Sequence, residues 1–307
     1  MKRRLIKQGG GGFTIYLPKK WVDERQLKAG DEIDVDETEN ALVLRTEAKI
    51  KKEAVLQLDK EDSHFIYLKL SHIYRMGYDK IIVHFKNSKT ISDISKLVID
   101  YLLGFEVTEK GKNYCVLENV TEPTNEKFSV LLRRIFLQLK ETYSLVFDDI
   151  VHNTRNHNDE IQVLRISFDK HIFFCRRCIS KKMNIEENSI LHWELLTLLM
   201  HSHHGFYYLY QYYYQKKIIA HVETKALLKS LGSYLDIPYN SYFEKSVLTL
   251  DSMQDEYRRL QNQVFLLLEK HRDPVLLAYL KEIIRLLQVV GSPVRALLTD
   301  VHTEQKL

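Results

Sequence analysis

Period-2 alternation opens the chain and gives way to helical spacing. Phe13, Ile15 and Leu17 alternate with Thr14 and Tyr16, which predicts a strand that Pro18 stops. Ahead of it, Lys2-Arg3-Arg4-Leu5-Ile6-Lys7 reads as a basic strand ended by Gly9 to Gly12. Lys19 to Leu27 predicts a short helical turn with Trp21, Val22 and Leu27 on one side. Gly30 is the expected positive-φ residue of the turn at Lys28 to Asp31. Ile33 and Val35 alternate with acids as another strand, Glu37 to Asn40 turns the chain, and Ala41 to Leu44 returns.

Residues 48–120 read as a small α/β middle module of order βαβαββ. Its strands are Ala54–Leu58, Lys80–Phe85, Phe105–Glu109 and Asn113–Leu117; its helices are Ser63–Met76 and Ile91–Leu103. The first helix is read with Phe65, Leu68, His72 and Tyr74-Arg75 on one face, and Ile66 and Leu70 beside it. From Asn125 onward the period is helical throughout. Phe128, Leu132, Ile135, Leu139 and Val146 mark one stripe, and Ile161, Leu164, Phe168, Ile172 and Cys175 a second. A third helix spans Glu187 to Lys216. A fourth should end at Ile237-Pro238, a fifth should run from Ser241 to His271, and a sixth should start at Pro274 and reach about Val301. Pro293 is expected to kink that last helix or end it early. Residues 121–307 thus divide into two three-helix sets, about 125–217 and 218–302, and the chain is a multi-domain α+β protein.

Composition narrows the function classes. The 307 residues are 45% hydrophobic and 28% charged, ordinary for a folded protein, and the net charge of +4 is too mild to demand a polyanionic partner. Clustering matters more than the total: Lys2, Arg3, Arg4, Lys7, Lys19 and Lys20 fall within the first two strands and the turn after them. Three cysteines do not build a disulfide framework and point to a reducing compartment. No apolar core of a signal segment follows the basic start, and no run of about 18 apolar residues exists, so a cytoplasmic protein without membrane insertion is expected. No G-x-S-x-G, H-E-x-x-H or P-loop pattern occurs, and an enzyme is not expected.

The opening order of basic strand, glycine loop, strand, Leu17-Pro18-Lys19-Lys20-Trp21 turn, Gly30-Asp31-Glu32 strand and hairpin resembles the swapped-hairpin DNA-binding domains of AbrB, MazE and SpoVT. The resemblance implies that residues 1–47 form a dimeric, interleaved β barrel that binds double-stranded DNA through those six basic residues. A solvated, lysine-rich β cap, or a domain that only dimerises, is the competing reading. The rest of the chain resembles archaeal PhoU-like regulators. The resemblance rests on element order, on Tyr74-Arg75-Met76-Gly77-Tyr78-Asp79-Lys80-Ile81, on Gly104-Phe105-Glu106-Val107, and on Phe168-Asp169 followed by Phe173 and Arg176. It implies an all-α PhoU-like pair of three-helix bundles and a role in phosphate homeostasis. The function so implied is a homodimeric transcription regulator with a helical sensing half. The alternative is an adaptor that docks on a phosphate transporter or sensor protein.

The family's metal-binding carboxylates are largely replaced. His201, His203 and His204 stand where acids are expected in the third helix, and Gln288 and Ser292 in the last. Asp149 and Asp169 remain, as does the i, i+4 pair Asp251 and Asp255. No metal or other cofactor is therefore expected. A softer set, His171, Cys175 and Cys178 at i, i+4 and i+7 with His201 or His204 from a neighbouring helix, could hold zinc, but Cys175 sits on the apolar stripe and core packing is the simpler reading. The tyrosines from Tyr207 to Tyr214 read as buried between helices or at an interface rather than as a base-stacking platform.

Overall fold

The computed structural model describes residues 2–38, 41–45, 51–121, 124–181 and 188–299. It comprises two compact units, a head, Met1–Lys52, and a body, Glu53–Leu307.

In the head, β1 (Ile6–Lys7) pairs antiparallel with β2 (Phe13–Thr14) across the glycine run, with Ile6 opposite Thr14. Helix α1 (Lys19–Glu24) follows Pro18. Gly30 has φ of 98°, as its turn requires, and the Lys28 amide donates to the Asp31 carboxylate at 2.6 Å. Strands β3 (Asp34–Thr38) and β4 (Ala41–Arg45) form the second hairpin. The expected strands Lys2–Lys7 and Phe13–Leu17 are paired over two residues each, and the two hairpins stay separate two-stranded sheets, so the single chain closes no barrel. Ile15 to Leu17 have the right alternation but, among the described residues, no strand beside them to complete a ladder. The expected turn at Glu37 to Asn40 and the expected 47/48 boundary fall partly or wholly outside the described residues.

The body begins with the βαβαββ layer. Strands β5 (Glu53–Gln57), β6 (Lys80–His84), β7 (Phe105–Lys110) and β8 (Tyr114–Asn119) form one sheet in the order β5-β6-β8-β7. β5 runs parallel to β6, and the other pairs are antiparallel. Helices α2 (Ser63–Arg75) and α3 (Thr90–Tyr101) supply the crossovers, and the Asp62 carboxylate caps α2 by accepting from the Phe65 amide at 2.9 Å. The buried face of α2 is Ile66, Leu70, Ser71 and Tyr74. Of the expected face, Tyr74 is buried, sealing the core against Phe105 and donating its hydroxyl to the Leu103 carbonyl, Phe65 is partly buried, and Leu68 and His72 are exposed.

Six long helices follow: α4 (Asn125–His152), α5 (Asn158–Ser180), α6 (Ser189–Lys216), α7 (Val222–Glu244), α9 (Met253–Glu269) and α10 (Pro274–Leu298), with a single turn, α8 (Leu248–Asp251), between α7 and α9. Helices α4, α5 and α6 pack on one another, as do α7, α9 and α10, and α6 against α10 joins the two sets. That junction is close: a Cβ on Gly205 would lie 2.7 Å from Ile283. Three boundaries differ from expectation. Helix α7 continues through Pro238 to Glu244. An interior proline costs about 3 kcal/mol, offset here by packing Tyr239, Tyr242 and Phe243 around the buried ring of Phe136. The expected Ser241–His271 helix is broken where Lys245 turns left-handed at φ 56°. Helix α10 passes Pro293 and ends at Leu298.

The α/β layer is fastened to the helices by Arg177 of α5, which is wholly buried. It donates to the Asp79 carboxylate at 2.7 Å, to the carbonyls of Tyr74 and Tyr78, and lies over the rings of Tyr74 and Phe105. Lys181 also reaches Asp79. No helix among the described residues is long and apolar enough to cross a membrane.

Candidate functional site

The head carries the basic cluster. Lys2, Arg3 and Arg4 precede β1, Lys7 lies in it, and Lys19 and Lys20 open α1. All six are exposed. Lys20 has a long contact, 3.8 Å, to Glu24; none of the other five has an acid within ion-pair distance among the described residues. Sign is segregated along this unit, since these six are the only charged residues before Asp23. The same stretch shows apolar groups to solvent. Leu5, Phe13 and Tyr16 are each about two-thirds exposed, as is Leu42 of the second hairpin, and no described residue of the head is buried.

The carboxylates retained in the body are engaged internally. Asp149, at the end of α4, is wholly buried and accepts four hydrogen bonds: from the hydroxyls of Thr154 at 2.6 Å and Tyr210 at 2.7 Å, and from the amides of Asn156 and His157, both at 3.0 Å. Burial pushes its pKa upward, but these donors hold it below the usual carboxylate range. The carboxylate therefore shapes the α4–α5 turn. Asp148, Asp149 and His157 bring ligand-type atoms within 4.8 Å of one another. The Asp149 oxygens are already saturated, so this cluster does not fit a metal ion. His157 bridges Asp148 at 3.1 Å and Glu160 at 3.5 Å, and those acids raise its pKa against the effect of burial.

Asp169 of α5 is 1% exposed and sits between Arg165, one turn earlier, and His204 of α6, whose Nε2 lies 2.9 Å away. Burial raises its pKa, while His204 and Arg165 bring it below the ordinary value. Asp251 pairs with Arg295 at 2.9 Å, and Asp255 is an exposed residue 3.6 Å from Arg258. Gln288, Ser292 and Arg295 line a surface hollow of about 300 Å³. The hollow offers neutral side chains and a guanidinium and no carboxylate, so it does not fit a carboxylate-held metal.

The soft-ligand set does not converge. Cys175 and Cys178 are buried free thiols whose pKa burial pushes up, to about 12 for Cys178. His171 Nδ1 lies 2.8 Å from the Gln138 side-chain oxygen and is driven down to about 4 by burial, then by Arg134 and Lys170. His201 is exposed on α6. His203 stacks on Phe168 at 3.9 Å and lies 3.0 Å from the Thr142 hydroxyl. Tyr210 and Tyr213 are buried, as the tyrosine run predicts, but Tyr208 is half exposed.

Tyr208 is exposed because it lines a cleft of about 600 Å³ between α2, α3, α5 and α6. Tyr67, Asp93, Lys96, Tyr101 and Arg165 share its walls, and Asp169 lies at its base. The Tyr67 hydroxyl approaches Asp169 at 3.4 Å, and the Arg165 guanidinium lies over Tyr207. Tyr67, Tyr101 and Arg165 carry no signal in the sequence. They come from three helices distant in the chain, and only the docking of the α/β layer brings them together. Comparison of the chain with protein-family profiles, characterised proteins and solved structures found no match.

Proposed function

We propose that the chain is a homodimeric, cytoplasmic transcription regulator whose heads interleave and bind double-stranded DNA, and whose body senses an effector or holds a partner. The observation that carries this reading is the head itself, which joins a segregated basic surface to an apolar surface with no core beneath it. About 45 residues without buried side chains do not form a stable domain alone. A second copy supplies the missing ladder for Ile15 to Leu17 and the missing cover for Phe13, Tyr16 and Leu42. A two-fold axis then doubles the six basic residues into one positive surface, which suits a phosphate backbone. Most of the affinity comes from phosphate contacts, and strand and loop geometry reads groove shape. The link to phosphate supply is carried by the PhoU resemblance alone. No step of the reading is catalytic, and none uses a metal.

Fluorescence anisotropy with duplex from the gene's own upstream region, at two salt concentrations, tests the reading. Arg3→Ala with Arg4→Ala removes up to four phosphate contacts per dimer. The slope of log K against log salt should fall by about 3 to 4, at ~0.9 per phosphate. Unchanged affinity and slope would favour the adaptor, in which the head only dimerises and the body docks on a transporter or sensor.

A further inference from the structure

Arg176 and Arg177 are neighbours on α5, and both are buried, at 4% and 0% exposure. Arg177 is compensated by Asp79 and two carbonyls. Arg176 is not. Its guanidinium donates to the Thr197 hydroxyl at 2.8 Å and lies over the Trp193 ring at 5.0 Å, and its Nε, like that of Arg177, has no hydrogen-bond partner among the described residues. Among the described residues no carboxylate lies within ion-pair distance of it.

A second guanidinium reaches α5 one turn away. Arg75, near the end of α2, lies over the Phe173 ring at 4.9 Å, and Phe173 precedes Arg176 by one turn of α5. The Arg75 Nε donates to the Ser71 carbonyl at 3.1 Å, and its Nη2 lies 3.2 Å from His72 Nδ1. It too has no carboxylate partner among the described residues. Burial and then Arg75 bring the Arg176 pKa down to about 10; Asp169, which acts against them, is already held by Arg165 and His204. His72 and His201, exposed on α2 and α6, are held below the usual histidine range first by burial and then by neighbouring groups, Arg75 and Lys69 for one, His204 and Arg176 for the other. Where α2 and α6 flank α5, the described groups around Arg176 and Arg75 thus carry an excess of positive charge.

A buried guanidinium without a counter-charge is costly unless an anion completes it. The planar fork of arginine matches oxyanions, and two arginines match a dianion better than a monoanion. We propose that Arg176 and Arg75 form an anion site at the α2–α5–α6 junction that takes a phosphoryl-type oxyanion, free or borne on a small molecule. Thr197 and the aromatic rings of Trp193 and Phe173 hold the guanidinium planes in place. The site belongs to the body alone and does not depend on DNA binding by the head.

Titration calorimetry on the full chain, with inorganic phosphate and with phenyl phosphate at constant ionic strength, tests it. Saturable heat at one site per chain is expected for one or both probes, and the tighter probe identifies the source of the group. Arg176→Met and Arg75→Gln should each weaken binding ~10-fold or more, the scale of losing one charged contact. In anion-free buffer Arg176→Met should melt at or above the parent, because an unpaired buried charge is gone, and the parent should gain on adding phosphate while the variant does not. Phosphate stabilises many proteins nonspecifically, so an equal gain in parent and variant would overturn the proposal. Absence of saturable heat with both probes at millimolar concentration would do the same. Should Arg176→Met fail to fold, Arg75→Gln on the half-buried α2 side decides between these outcomes.

Discussion

The head and the body handle apolar residues in opposite ways. The body turns its helical stripes inward, so that Phe128, Ile135, Phe168, Ile172, Ile283, Ile284 and Leu287 are all essentially inaccessible. The head alternates apolar and polar residues as regularly, yet Phe13, Ile15, Tyr16, Val35 and Leu42 remain at least half exposed. A stripe in the body finds its partner helix in the same chain. The hairpins of the head find none there among the described residues, which the proposed dimer would explain. The two units should therefore respond differently to substitution.

The largest effect on stability is expected at the bolt of the body. Arg177→Met removes the main partner of Asp79 and two carbonyl contacts, and should cost about 3–5 kcal/mol in urea unfolding. A loss below ~1 kcal/mol would mean that Lys181 alone holds Asp79 and that the two layers need no further fastening. Next is the α4–α5 turn, where Asp149→Asn puts an amide among four donors and should cost about 2 kcal/mol; Tyr210→Phe, which removes one of those bonds, should cost about 1 kcal/mol.

Acid is a third way to separate the units. His203 is buried and His171 partly buried, both with pKa values below that of a free histidine. Between about pH 6.5 and 4 the unfolded chain then binds more protons than the folded one, so body stability should fall as pH falls, by at most ~1.4 kcal/mol per pH unit for each group. His157 acts in the opposite sense. Its raised pKa contributes stability that is complete below about pH 6.5 and is lost as pH rises through the folded value. Asp149 and Asp169, whose values are lowered, contribute stability that is lost only below about pH 4. A melting temperature flat from pH 6.5 to 4 would contradict the lowered values of these histidines; His171→Gln should reduce the slope over that range.

The smallest effect on body stability is expected in the head. Phe13→Ser with Ile15→Ser should leave the unfolding of the body within ~0.5 kcal/mol, as for surface positions, while sedimentation shows the dimer dissociating. A variant that unfolds the body instead would erase the distinction between the units.

Sequence periodicity delivers the helices of the body because each stripe is buried against helices with the same period. It fails where one polar or unusual residue outweighs the pattern. Arg177 lies among buried residues of α5, where a pattern of apolar and polar positions assigns an arginine to the surface; only its convergence on Asp79, 98 residues earlier, explains it. Pro238 reads as a stop because the local penalty is visible in sequence, whereas the aromatic packing around Phe136 that offsets it is not. Spacing alone sets Leu68 and His72 of α2 on one face with Tyr74, whereas the core takes Tyr74 with Ile66 and Leu70. In the head the charges and hairpins are legible, but the strand lengths are not, because their ladder is incomplete in one chain. The cleft over Asp169 and the guanidinium pair at Arg75 and Arg176 depend on contacts between the α/β layer and the helices, which no local window contains.

Whether the head is both the dimer contact and the DNA reader can be decided by sedimentation velocity with a fluorescent duplex, run on the intact chain and on a form beginning at Glu53. The intact chain should sediment as a dimer and carry the duplex with it, and the shorter form should keep its helical fold but leave the duplex free. Equal duplex binding by both forms, or an intact chain that is monomeric and leaves the duplex free, would contradict the division of labour between head and body.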